Sequence, residues 1–148
     1  MDGFHLAEDQ LRARGLQGLK GAPETFDRSG FVAMLHQLRS ASDVVLAPVF
    51  DRTIGDPVAA AIAVPPQIRL VIIEGNYLLL WPEVRPLLDD IWYLDLAPEV
   101  RVSRLVARHV EFGKAPDEAL AFVRASDEAN AARIALDRAS ADLILDAD

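Results

Sequence analysis

Residues Arg69-Leu70-Val71-Ile72-Ile73-Glu74-Gly75 constrain the fold more than any other stretch of this chain. An unbroken aliphatic run with strong β-branching is the pattern of a strand buried on both faces, as in a parallel sheet covered by helices. Glu74 and Gly75 follow at once. Open α/β sheets bind their ligands beyond the carboxyl ends of their strands, so a carboxylate there is a candidate site residue. The alternative is that Glu74 simply ends the strand in solvent.

With 148 residues the chain fits one domain around one core. A hydrophobic content of 51% excludes a disordered chain. No apolar run approaches the roughly 20 residues needed to span a bilayer, so no membrane partner is expected. Asp2, His5, Glu8 and Asp9 interrupt the start, unlike a signal peptide. The absence of cysteine excludes a disulfide framework, thiolate catalysis and cysteine-based zinc sites. A soluble, cytoplasmic protein is the expectation. Fifteen Lys and Arg against 23 Asp and Glu give a formal charge of −8. That argues against nucleic-acid binding, which needs a basic footprint. Lys20 and Lys114 are the only lysines, and the remaining cations are arginines. Arginine suits bidentate recognition of phosphate or carboxylate, although GC-rich coding favours it too.

Along the chain, Met1 to Leu6 reads as a strand end meeting a turn. Helical character follows from Leu6 to Arg14 and stops at Gly15 and Gly18. A turn-rich loop covers 20–27, and Asp27 is a good N-cap for a helix bearing Phe31, Leu35 and Leu38 on one face. Val44 to Ala47 reads as a strand, and Val58 to Val64 as a second strand or hairpin arm after the Gly55-Asp56-Pro57 turn. Pro65-Pro66 ends that excursion before the Arg69 run. Asp90 to Leu96 is a further strand. Pro98 opens a helix that Gly113 stops. Pro116 opens a long alanine-rich helix to about Ala139, and Ala141 to Leu145 is a last strand. Strands alternating with helices predict an α/β fold, three-layered, with a mostly parallel sheet.

Several residues can carry chemistry. Asp2, read as the end of a strand before glycine, suits a general base toward a substrate hydroxyl, and equally a turn residue. Glu74 would supply a second carboxylate at the same edge, the hard oxygen ligand that Mg²⁺ prefers. Paired carboxylates also suit glycoside hydrolysis, but the arginines fit phosphate better. Arg101, Arg104 and Arg108 share one helical stripe with no acid between them, while Val102, Leu105, Val106 and Val110 take the other side. That stripe is either a solvated face or an anion site of the kind phosphoryl transfer uses. Lys114, directly after Gly113, is free to swing on a mobile segment. Lys20 and Arg52 lie in loops. Phe50, Tyr77 and Trp81 can wall a substrate pocket, although aromatic residues more often form core. His5 is a candidate substrate contact, and the three scattered histidines give no metal-binding spacing. No Gly-x-Ser-x-Gly elbow supports a hydrolase.

Taken in order, Asp-Gly-Phe-His at 2–5, Lys-Gly-Ala-Pro-Glu-Thr-Phe-Asp at 20–27, Pro-Val-Phe-Asp-Arg at 48–52 and Glu-Gly-Asn-Tyr-Leu-Leu at 74–79 are followed by Arg-x-x-Arg-x-x-x-Arg-His at 101–109, Gly-Lys at 113–114 and Asp-x-x-Asn at 127–130. This set resembles the P-loop kinases of the uridine kinase, phosphoribulokinase and pantothenate kinase branch, including fructose-transport-system kinase-like members. The resemblance covers nearly the whole chain. It implies an ATP- and Mg²⁺-dependent transferase acting on a hydroxyl of a nucleoside, a pantothenate-like alcohol or a sugar. By position it implies Asp2 as base, Arg104 and Arg108 as lid arginines within roughly 101–116, and Glu74 as the Mg²⁺-associated acid. Arg101, Lys114 and Asn130 would fall on the nucleotide side, with Asp127 less secure. His5, Lys20, Phe50, Arg52 and Tyr77 would fall on the substrate side. Homodimers are common in the resembled family. The Gly-x-x-x-x-Gly-Lys-[Ser/Thr] loop of the family is absent from 1–148. The expectation is therefore a single kinase-like domain without its first strand and phosphate loop, with weak or no turnover in this form. The alternative is a non-catalytic remnant serving interaction or oligomerisation.

Overall fold

A computed structural model describes residues 1–147, which fall into two compact units, Met1–Leu88 and a second that begins at Asp89. In the first, one 3-10 turn, Asp2–Phe4, leads to helix α1, Glu8–Ala13. Helix α2, Arg28–Ser40, starts where the Asp27 carboxylate accepts the Gly30 N–H at 2.9 Å. This satisfies one of the orphan donors of its first turn. Its Phe31 and Leu35 are buried.

The core of this unit is aromatic. Phe26, Phe31, Tyr77 and Trp81 pack with ring centroids 5.5 to 6.3 Å apart, mostly edge to face. Phe4 meets Phe31 at 5.2 Å in the same manner, the geometry that ring quadrupoles prefer. Buried polar groups here are satisfied. Thr25 Oγ1 donates to the Ala22 carbonyl at 2.7 Å and accepts the Gly21 N–H at 3.0 Å. The Tyr77 hydroxyl donates to the Gly21 carbonyl at 2.6 Å. The loop around Gly21 is therefore pinned from inside.

Strands β1, Val45–Asp51, and β2, Asp56–Val64, form the expected hairpin, antiparallel, with Val45 opposite Val64 and Asp51 opposite Asp56. Register slips between Ala47 and Val49. Pro48 has no N–H to give a ladder, and the extra residues on β2 are taken up with Ala60 at φ 54°.

The aliphatic run is the main departure from expectation. Arg69 to Ile73 is not part of any strand, and Leu70 and Ile72 are 75% and 85% exposed. Among the described residues no strand hydrogen-bonds to it. Its composition states an environment that this part of the chain does not supply. The start of the chain likewise forms a 3-10 turn and not a strand end, with His5 bridged to Phe26.

In the second unit, β3, Trp92–Asp95, and β4, Leu143–Asp146, pair in parallel, Trp92 opposite Leu143. Parallel neighbours need a crossover, here helical. Helix α3 is Pro98–Glu111, and α4, Pro116–Phe122, runs through a π-helical turn, Val123–Asp127, into α5, Glu128–Ala135. Proline occupies the first turn of both α3 and α4, as read from sequence. At the end of α3, Gly113 adopts φ 96°, its N–H donates to the Val110 carbonyl, and the Lys114 N–H donates to the His109 carbonyl. That is a Schellman cap, which glycine accommodates without strain. The α/β class therefore holds. Of the two strand pairs among the described residues, β3–β4 is parallel and β1–β2 antiparallel.

Asp27→Ala should lower the unfolding free energy by about 1 kcal/mol, the usual worth of an N-cap. Urea unfolding, with an unchanged slope, measures it.

Candidate functional site

The first unit gathers residues that lie far apart in sequence. Gly3 presses against β1: a Cβ there would stand 2.2 Å from the Pro48 carbonyl oxygen. Only glycine lets the Asp2 turn lie this close. Asp2 is exposed, and its Oδ2 is 3.6 Å from Nη2 of Arg52, which projects from the β1–β2 turn. His5 Nδ1 lies 2.8 Å from the Asp2 carbonyl. A carbonyl only accepts, so this nitrogen carries the proton and Nε2 is left as an acceptor. The ring sits 4.0 Å from Phe26 and 5.0 Å from Phe50, centroid to centroid. Burial among these rings pushes its pKa below the ordinary value, outweighing the hydrogen bond to Asp2.

Lys20 completes the group. Its Nζ donates to the Gly55 carbonyl at 2.8 Å, approaches Glu8 Oε2 at 3.5 Å and stands 5.5 Å from the Phe50 ring centroid. The Gln17 amide and then Lys20 hold the Glu8 carboxyl below its usual range. The structure thus brings Asp2, His5, Lys20, Phe50 and Arg52 together. Glu74 is close by chain contact: the Met1 amino nitrogen donates to its carbonyl at 2.7 Å and meets its Oε1 at 3.3 Å. Its side chain is 83% exposed.

Tyr77 was expected on a pocket wall and is instead core, 1% exposed, its hydroxyl turned to the Gly21 carbonyl. Trp81 is buried beside it. An open groove of about 1120 Å³ runs past Gly3, Phe4, His5, Phe26 and Pro48, and none of Asp2, Lys20, Arg52 or Glu74 lines it. Sequence reasoning missed Gly3 and Glu8, since both act through contacts outside their own helical turn, Gly3 with Pro48 and Glu8 with Gln17 and Lys20.

In the second unit the arginine stripe divides. Arg101 is half-buried, with Nε and Nη2 both on Glu128 Oε1 at 3.1 and 2.8 Å. Arg104 and Arg108 are exposed. Of the apolar set on α3, Val102, Leu105 and Val106 are half-buried and Val110 is exposed. Lys114 is not on a loose segment: its backbone closes the Schellman cap and its Nζ lies 4.8 Å from the Phe122 ring centroid. Asp127, on the π turn, pairs with His109 at 2.9 Å. Asn130 lies half-buried on α5.

No group of three or more His, Asp or Glu among the described residues is arranged to hold a metal ion. A Mg²⁺ brought in with phosphates needs only one or two protein carboxylates, the rest of its shell being phosphate and water. Glu74, exposed and facing the Met1 amine, fits that limited part. No helix among the described residues is long and apolar enough to cross a membrane.

No family model matches the chain. Individual proteins do. An ATP-dependent kinase-like protein, notR', of Aspergillus versicolor is 40% identical over 133 residues, 82% of this chain and 77% of that protein. A candidate uridine kinase of Schizosaccharomyces pombe is 37% identical over 133 residues, 84% of this chain and 57% of its own length. The crystal structure of a candidate fructose transport system kinase from Silicibacter sp. TM1040 superposes with a TM-score of 0.91 at 40% identity. It covers 98% of this chain and 72% of that one.

The buried imidazole sets a pH dependence. A depressed folded pKa means that the unfolded state binds the proton first. Stability should therefore fall as pH drops below the unfolded value near 6.5, and level off once folded His5 also protonates. His5→Gln should flatten the part of the stability profile below pH 7 that His5 contributes. Unfolding free energies between pH 5 and 8 would show it, with the His5 Cε1–H resonance titrating low.

Proposed function

Because the chain belongs to the P-loop kinases of the uridine kinase and pantothenate kinase branch, we propose that it transfers the γ-phosphoryl group of ATP to a hydroxyl of a small molecule. A nucleoside, a pantothenate-like alcohol or a sugar fits the branch. The observation that carries this reading is the cluster on the first unit: Asp2 exposed beside Arg52, with His5 bonded to the Asp2 backbone and Phe50 against His5.

Asp2 has the chemistry of a general base. Its carboxylate projects from a turn that cannot drift, because Gly3 is seated on Pro48 and Phe4 on Phe31. A base must lie within hydrogen-bond reach of the proton it takes, and a rigid turn keeps it there. Arg52 orients that carboxylate and adds a donor for an acceptor oxygen. His5 Nε2, without a proton, accepts a second hydroxyl of the acceptor. Phe50 gives its carbon skeleton an apolar face, and Lys20, tied to Gly55, stiffens the loop beneath. ATP and Mg²⁺, when bound, supply the phosphoryl group and neutralise its charge. On this chain Glu74 is the residue suited to the metal, and Arg104, Arg108 and Lys114 to phosphate oxygens. Asn130 is the candidate for the nucleotide base.

Asp2→Asn in the protein as its gene encodes it should lower kcat by about 10² to 10⁴, the usual worth of a positioned base, without unfolding it. ADP release over a panel of nucleosides, pantothenate-like alcohols and sugars measures both activity and acceptor. Full activity in the variant, or no release with any acceptor, would end this reading. Glu74→Gln should raise the Mg²⁺ concentration needed for half-maximal rate severalfold, read from a Mg²⁺ titration at fixed ATP.

A further inference from the structure

We propose that His109 and Arg101 are positioning residues, clamping α3 to the junction of the π turn and α5 through Asp127 and Glu128 so that Arg104 and Arg108 are presented unpaired. The proposal rests on the reading of those two arginines as phosphate ligands, and it removes Arg101 from that role. The sequence shows three equivalent arginines on one stripe; the structure gives them different fates. Arg101 places two nitrogens on one Glu128 oxygen. Arg104 and Arg108, one turn apart, have no hydrogen-bond or ion-pair partner among the described residues.

Both clamps end at adjacent acids. On α3, Arg101 and His109 stand just over two turns apart, yet they meet Glu128 and Asp127. Asp127 closes the π turn and Glu128 opens α5, so the two acids stand where the helix changes its winding. The same segment is docked by Ala119 and Val123, both fully buried. Single-turn π-bulges within α-helices recur at functional sites, and here both clamp acids lie at the end of one.

His109 is held by more than its hydrogen bond to Asp127. Its carbonyl accepts the Lys114 N–H of the Schellman cap, and its ring stands edge-on to Phe122 at 5.0 Å. Its side chain and that of Asp127 are only 18% and 21% exposed. A carboxylate oxygen only accepts, so Nε2 of His109 is the donor. The clamp leaves Glu128 and Asp127 occupied, and neither is free to capture Arg104 or Arg108.

The test uses the protein as its gene encodes it. In His109→Ala the KM for ATP·Mg²⁺ should rise about tenfold while the KM for the acceptor stays put. His109→Gln, whose amide nitrogen replaces the Nε2 donor, should recover most of the loss. Asp127→Ala, which removes the acceptor, should mimic His109→Ala. A merely structural role would reduce the active fraction and leave KM unchanged, and that result overturns the proposal. Independently, ¹⁵N NMR should show a protonated, hydrogen-bonded Nε2 on His109 that is lost in Asp127→Ala. Its absence from the parent protein also overturns the clamp. Arg104→Gln and Arg108→Gln identify which premise is at fault. If they leave the KM for ATP unchanged while the NMR signature is present, the phosphate reading has failed and the positioning role falls with it. If they raise KM and the His109 variants do not, the clamp alone is wrong.

Discussion

The seat of Gly3 on the Pro48 carbonyl is the contact on which the acceptor side depends. Any side chain at position 3 would drive the Asp2 turn off β1, since a Cβ there stands 2.2 Å from a backbone oxygen that cannot move aside. From that contact follow the proximity of Asp2 to Arg52, the bond from His5 to the Asp2 carbonyl and the tilted contact of His5 with Phe50. The aromatic core beneath does the complementary task. Tyr77 and Thr25 hold the Gly21 loop, and that loop sets Lys20 against Glu8 and Gly55. A buried hydroxyl left unpaired is costly, so each of these bonds fixes the backbone it touches.

Charge is distributed by the same logic of satisfaction. A chain of formal charge −8 has carboxylates to spare, and most well-placed arginines find one: Arg28 with Glu83, Arg101 with Glu128, Arg138 with Asp95 at 2.7 Å. Pairs that are exposed or partly exposed contribute little stability. Arg104 and Arg108 are not among them and have no counter-ion among the described residues. In an acidic protein, unpaired neighbouring cations cost energy that an arriving anion returns.

Local signals were legible. The Asp27 cap, the prolines opening α3 and α4, the Gly113 stop and the hairpin are each decided by a few adjacent residues. The candidate site was legible in part. Asp2, His5, Lys20, Phe50 and Arg52 do converge, although no spacing in the sequence states that they should. Tyr77 was misplaced because an aromatic residue after a strand signal reads alike as wall or core. Partners distant in sequence make it core: the Gly21 carbonyl, 56 positions away, and the Phe26 ring. The stripe Arg101, Arg104 and Arg108 was read as uniform because helical periodicity places side chains without revealing what packs opposite.

The sequence by itself determined the α/β class, the helix ends and the acid and arginine positions that mark the family, because propensity, capping and spacing act within a turn or two. The tertiary structure decided which arginine is tied and which is free, which aromatic residue is buried, and that the Arg69–Ile73 run lies uncovered. Pairing, burial and strand ladders depend on partners distant in sequence, and an aliphatic run can specify a neighbour without providing it.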